Sequence, residues 1–123
     1  MENEIKISAE VHFLKNESNP KHSIYTFAYT ITIENRGTLG ATLLSRHWII
    51  TDENNHIEEV IGDGVIGKKP HIAAGEVFRY SSGAILKTPV GVMSGSYRMV
   101  NDKGEHFNAE IPPFSLLPVS MLH

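Results

Sequence analysis

Two segments of the chain alternate apolar and polar side chains with a period of two, and this restricts the fold to β structure more than any other feature does. Successive side chains of a strand point to opposite faces, so such alternation predicts a strand with one buried face. The apolar positions are Ile5, Ile7, Ala9, Val11 and Phe13 in the first segment, and Tyr25, Phe27, Tyr29, Ile31 and Ile33 in the second. The second segment is also rich in aromatic and β-branched residues, which pleated surfaces prefer.

Shorter segments downstream predict further strands, which are separated by turn residues. We expect strands over 42–51, 56–61, 77–81, 96–100 and 107–111. The glycine- and proline-containing stretches 62–75 and 82–95 are interpreted as loops, 101–104 as a hairpin turn, and Pro112-Pro113 as the end of the last strand. Residues 14–22 have loop composition, and the tail 114–123 is expected to be extended.

The pattern as a whole predicts one all-β domain over residues 1–123. About seven to nine short antiparallel strands with frequent turns are typical of a β-sandwich or a small barrel. No segment has a sustained helical period, and neither a repeat nor a linker divides the 123 residues.

Composition excludes several functional classes. The chain has no cysteine, so disulfides, thiolate metal sites and a cysteine nucleophile are excluded. A net charge of −3 argues against general nucleic-acid binding, which needs a cationic surface. The N-terminus lacks the basic start and apolar run of a secretory signal, and no stretch is long and apolar enough for a membrane helix. We therefore expect a cytoplasmic protein that is a monomer or a weak homo-oligomer.

Gly62, Gly64 and Gly67 satisfy the pattern GxGxxG, which occurs in dinucleotide-binding folds. That fingerprint requires a helix directly after the glycines and an acidic residue about 20 positions on. Lys68, Lys69 and Pro70 follow instead, so the dinucleotide interpretation fails. Glycine backbone N–H groups could still form an anion nest, with Lys68 and Lys69 adding charge. The alternative is a tight connection with two solvated lysines.

No residue pattern supports catalysis, a metal site or a cofactor. The seven histidines occur singly, without the i, i+2 or i, i+4 spacing that places two imidazoles on one face. The chain contains no nucleophile-elbow motif, and the adjacent acidic pairs 52–53 and 58–59 would point to opposite faces of a strand. We therefore expect a protein that is not an enzyme and needs no cofactor.

The segment Arg46-His47-Trp48 offers a second candidate site. Trp48 is expected to fill the core of a sandwich. Arg46 has the same strand parity, so if it points inward it needs a buried acid or carbonyl groups as partners. If the strand is bulged, Arg46 and His47 could face a groove instead.

In order along the chain, these segments resemble the ApaG family from the first strand to Phe114. The resemblance implies an immunoglobulin-like or fibronectin type III-like sandwich, but it implies no established reaction. It also implies protein-binding roles, which are proposed for similar domains, and a link to cobalt and magnesium tolerance. The residues that carry it are Leu44–Asp52, Gly62–Gly67, Gly75–Gly83, Gly91–Val100 and Ile111–Phe114.

Two functions remain open from the sequence. The first is a protein-binding module that uses an exposed sheet edge, a groove or residues 82–95. The second is a module that binds a phosphate-containing small molecule, such as a nucleotide, at residues 62–69, alone or with a divalent cation.

Overall fold

The computed structural model describes residues 1–118, and these form eight strands in two antiparallel sheets. The predicted all-β fold class and strand number are confirmed. The strands are β1 (Ile5–Phe13), β2 (Tyr25–Asn35), β3 (Ala41–Asp52), β4 (Ile57–Asp63), β5 (His71–Ile72), β6 (Val77–Leu86), β7 (Gly91–Asn101) and β8 (His106–Leu116).

The two sheets pack face to face as a sandwich. One has the strand order β1-β2-β6 and the other β4-β3-β7-β8, with the short β5 added to β3. The alternating faces of β1 and β2 point inward as predicted, so that Phe27, Ile31 and Ile33 are fully buried between the sheets. The expectation that Trp48 fills the core is confirmed, because its side chain is 2 % exposed.

Three predicted boundaries were wrong, and each error has a physical cause. Residues 82–95 are not mostly loop, because β6 continues to Leu86 and β7 begins at Gly91. Polar and glycine residues on the outer face of β6 obscured the inward alternation of Tyr80, Ala84 and Leu86. The second error lies in the predicted loop 62–75, where the two-residue strand β5 pairs with β3.

Pro112-Pro113 does not end the last strand, which was the third error. β8 runs on to Leu116 because it is an edge strand, where a missing N–H donor is tolerated. A register shift between Met93 and Gly95 of β7 also accommodates the two prolines. Of the predicted extended tail, residues 119–123 lie outside the described part of the chain.

The connection between β1 and β2 contains two three-residue 3₁₀ turns, and the predicted hairpin turn joins β7 to β8. Within residues 1–118 no helix is long and apolar enough to span a membrane.

Candidate functional site

The sandwich is closed along one side and open along the other. β1 of the first sheet lies against β8 of the second. On the opposite side, a groove separates the edge strand β6 from the edge strand β4, and we call it the β4–β6 groove. It has two connected parts of about 530 and 310 Å³, which share Tyr29, Arg46, Trp48 and Ser82. This volume is in the range of ligand-binding clefts.

The floor of the groove is largely aromatic and apolar. Tyr29 of β2 and Trp48 of β3 meet edge to face with ring centroids 5.5 Å apart, and Trp48 also packs against Tyr97 and Phe114. Val60 of β4 and Ala84 of β6 contribute to the two walls. Rigid aromatic surfaces of this kind can bury a ligand without rearranging.

Arg46 is the charged residue at the centre of the groove, where it lines both parts. It shares the inward face of β3 with Trp48 and is half-buried. Its Nη1 donates hydrogen bonds to the carbonyl oxygens of Asp63, at 3.0 Å, and Gly64, at 3.1 Å. Arg46 thus combines the two predicted alternatives. It points inward and binds carbonyls from the end of β4 and the residue after it, and it also faces a groove, on a strand whose register shifts between Leu43 and Ser45.

No carboxylate within residues 1–118 compensates the charge of Arg46. The ion pairs of this region join other residues, and none brings an acidic oxygen within 4.0 Å of the guanidinium. Both protein hydrogen bonds involve Nη1, and no buried side-chain nitrogen of the described chain lacks a partner. Nη2 and Nε are consequently not fully buried.

Tyrosine hydroxyls lie beside the guanidinium. The Tyr80 and Tyr97 hydroxyls are hydrogen-bonded to each other, and Tyr29 lines both parts of the groove together with Ser82. Burial raises the pKa of Tyr80 to about 12, an effect that the Tyr97 hydrogen bond and the Arg46 charge only partly offset. Burial also raises the pKa of Tyr97 and of Tyr29. All three phenols therefore remain protonated at neutral pH and can donate hydrogen bonds.

His47 does not lie in this groove. It points to the opposite face of the sheet, as expected for the neighbour of an inward residue, and its Nε2 lies 3.2 Å from Glu59 Oε2 on the adjacent strand. The structure thus separates the two residues that the sequence grouped as groove candidates. His47 borders a different depression, beside Pro112 and Pro113 on the outer face.

The predicted glycine loop is a tight hairpin that borders one end of the groove. Val65 and Lys68 form a two-residue turn in which each N–H bonds the other's carbonyl, at 2.8 and 2.9 Å, and the Gly64 N–H bonds Leu44. Three of the N–H donors that an anion nest would use are therefore engaged. Lys68 and Lys69 are exposed, and Gly67 lines the groove.

Gly62 makes room for Arg46. A Cβ at this position would lie 2.8 Å from both terminal guanidinium nitrogens, so a larger residue here would displace the guanidinium from its place against β4. The GxGxxG pattern identified Gly62, but it did not indicate that Arg46 lies against it. Tyr29, Tyr80 and Ser82 were not recognised as site residues, because their approach to Arg46 depends on which strands form the two edges.

A two-sheet antiparallel domain of this topology, with an open groove at one side and no recognisable catalytic constellation in the described chain, belongs to the class of small fibronectin-like β-sandwiches. More specifically, the chain belongs to the ApaG family, because the ApaG domain pattern matches residues 15–101.

Relatives over nearly the full length agree with this assignment. The chain is 49 % identical over 120 residues to Protein ApaG of Pseudomonas fluorescens (strain Pf0-1), covering 98 % of this chain and 95 % of the relative. It is 52 % identical to Protein ApaG of Thiobacillus denitrificans (strain ATCC 25259 / T1), with coverage of 98 % and 94 %. A crystal structure of a putative ApaA protein from Bordetella pertussis superposes with a TM-score of 0.93 at 40 % identity, covering 95 % of each chain.

Proposed function

We propose that this protein is a cytoplasmic binding module that takes an extended segment of a partner protein as an additional strand on β6. The observation that carries the proposal is the edge of β6 over Ser81–Leu86. Within residues 1–118 this strand pairs only with β2, and the six residues contain no charge. Proteins commonly protect exposed edges with charged residues, proline or bulges, and this stretch has none of them.

The neighbouring edge differs in this respect. β4 carries Glu58, Glu59 and Asp63 within seven residues, and such charges disfavour pairing with another strand. β6 has one charged residue, Arg79, which lies before the uncharged stretch, and Lys87 follows the end of the strand. A strand added to β6 would place alternate side chains over the groove, against Trp48 and Ala84. Backbone hydrogen bonds would supply affinity, and the groove would supply selectivity.

A matched pair of isoleucines tests which edge is used. Ile85 of β6 is 67 % exposed and Ile61 of β4 is 72 % exposed, so lysine at either position should leave the fold intact. Random peptides displayed on phage would be selected on the purified protein and their affinities measured with each variant. We expect Ile85→Lys to weaken binding by roughly tenfold or more, which is about 1.4 kcal/mol, and Ile61→Lys to leave it unchanged.

The opposite ranking of the two variants would move the site to β4. Failure to select any peptide above the level of an unrelated β-sandwich would remove the support for strand addition.

Phosphate or nucleotide binding at Gly62, Gly64, Gly67, Lys68 and Lys69 is the alternative function. It is less well supported, because the hairpin uses its own N–H donors and the exposed lysines would hold an anion only weakly against solvent and salt.

We propose binding without turnover in either case. The groove offers a guanidinium and protonated phenols, neither of which is a general base at neutral pH, and its two carboxylates, Glu58 and Asp63, line different parts of it. Purified protein is therefore expected not to hydrolyse diadenosine tetraphosphate, nucleoside triphosphates or pyrophosphate above a buffer control. Reproducible hydrolysis that a single side-chain substitution abolishes would contradict this proposal.

A further inference from the structure

Arg46 gives the β4–β6 groove a chemical preference that its apolar floor does not explain. A half-buried guanidinium costs free energy unless an anion or several acceptors compensate it. Here two carbonyls bind Nη1, while Nη2 and Nε have no protein partner in the described chain and are not fully buried. The two acids that line the groove, Glu58 and Asp63, form no ion pair with Arg46, because no acidic oxygen of residues 1–118 lies within 4.0 Å of its guanidinium. Arg46 therefore presents unpaired donors in an orientation that two hydrogen bonds fix.

The surrounding groups fit a carboxylate. The planar guanidinium matches the two oxygens of a carboxylate in a bidentate arrangement. Tyr80 lines the same part of the groove as Arg46, and its hydroxyl is paired with that of the buried Tyr97. When Tyr97 donates in this pair, the Tyr80 hydroxyl keeps its own hydrogen for another acceptor.

The charge balance of the groove favours one negative charge over several. Glu58 lines the larger part of the groove and Asp63 lines the smaller part, while Arg46 is the single cation among the residues that line the two parts. The lining therefore already contains more acids than cations, which disfavours a multiply charged anion. A diphosphate would bring more negative charge than one guanidinium can neutralise and would face both acids. A carboxylate side chain on an otherwise uncharged peptide matches the site better.

We propose that Arg46 and Tyr80 form a carboxylate subsite, which selects an aspartate or glutamate side chain of the extended segment bound at β6. This inference rests on the proposed function, since the peptide is the source of the acid. Gly62 supports the subsite by allowing the guanidinium to lie against β4, where the carbonyls of Asp63 and Gly64 fix its orientation.

The test uses a capped single residue, so that it does not depend on strand addition. N-acetyl-glutamate N-methylamide supplies the carboxylate, and N-acetyl-glutamine N-methylamide is its uncharged isostere. Each is titrated into ¹⁵N-labelled protein while the Nε–Hε signal of Arg46 is followed by NMR. We expect the acidic compound to shift this signal in a saturable manner, and the amide compound to leave it unchanged.

Three variants complete the design. Arg46→Gln should abolish the response of the neighbouring backbone amides. Arg46→Lys should weaken it several-fold, because a single ammonium cannot make the bidentate contact. Arg98→Gln is the matched control, since Arg98 is an exposed arginine of β7 that does not line the groove. If Arg46→Gln fails to fold, the wild-type Nε–Hε signal alone decides the question.

The outcomes distinguish this inference from the proposed function. Equal responses to the two compounds, or a response that survives in folded Arg46→Gln, would overturn the carboxylate subsite. Selected peptides that bind at β6 without enrichment of acidic residues would also overturn it while leaving strand addition in place. A carboxylate response in a protein that selects no peptide would instead refute strand addition and keep the subsite.

Discussion

Replacing Trp48 with alanine tests whether the floor of the groove is a structural core or a flexible binding surface. Trp48 is 2 % exposed and contacts three aromatic rings, those of Tyr29, Tyr97 and Phe114, with centroids 5.5, 6.2 and 5.9 Å away. Each pair has a tilt between ring planes of 63° or more, which is the favoured edge-to-face geometry.

The expected loss of stability for Trp48→Ala is about 3–5 kcal/mol. Burial and the cavity left behind account for a loss of this size in other cores. The three aromatic contacts contribute roughly 0.5–1.5 kcal/mol each within that total. The cavity would open into the β4–β6 groove, so water can enter it, and this places the expected value toward the lower end of the range.

Urea denaturation followed by far-UV circular dichroism measures the effect, because Trp48 is the single tryptophan and the variant has no other indole fluorophore. The midpoint should fall while the m-value stays constant. Trp48→Phe keeps an aromatic ring in place and should lose less. A loss below about 1 kcal/mol for Trp48→Ala would refute the packing argument, and Trp48 would then be a candidate binding residue.

Three further predictions concern the hairpin and the phenols. Gly64→Val should destabilise the protein by about 2 kcal/mol or more, because Gly64 has φ +60° and a Cβ there would lie 2.1 Å from the Lys68 carbonyl oxygen. Thermal denaturation measures the loss, and Gly67→Ala is the comparison variant, since a Cβ at Gly67 meets nothing within 4 Å. Replacing Lys68 and Lys69 together with alanine should leave stability unchanged and remove any salt-sensitive phosphate binding, and isothermal titration with pyrophosphate checks this. Folding raises the pKa of Tyr80 from 10.0 to about 12, so the protonated phenol stabilises the fold below pH 10 and this stabilisation is lost as the pH rises toward 12. The urea midpoint should therefore fall less steeply with pH across that range in Tyr80→Phe than in the wild-type protein.

The sequence predicted the strands that have one clean buried face. β1 and β2 matched their alternation because one side of each faces the core and the other faces solvent. The same reasoning failed for the second half of β6, where Ser82 and Gly83 break the apolar pattern at an open edge. Positions beside a groove need not be apolar, so the signal weakens where the site lies.

The candidate site could be predicted only in part for a related reason. Strand parity indicated that Arg46 points the same way as Trp48, and the structure agrees. The accessible nitrogens of Arg46 and the neighbouring phenols were not predictable, because they depend on contacts between β2, β3 and β6 across the two sheets. No local pattern specifies that β4 and β6, rather than other strands, form the open edges.

The GxGxxG segment has a role in this fold that requires no phosphate. Gly62 lacks a Cβ where the Arg46 guanidinium lies, and the carbonyls of Asp63 and Gly64 accept its hydrogen bonds. Gly64 lies just before the turn with a positive φ, and Ile66 and Gly67, which also have positive φ, are the two central residues between Val65 and Lys68. The segment thus orients a cation in an aromatic groove, and Nη2 and Nε of that cation have no protein partner within residues 1–118. A motif associated with anion binding through its backbone serves here to orient an arginine, and the arginine is the group that would contact the anion.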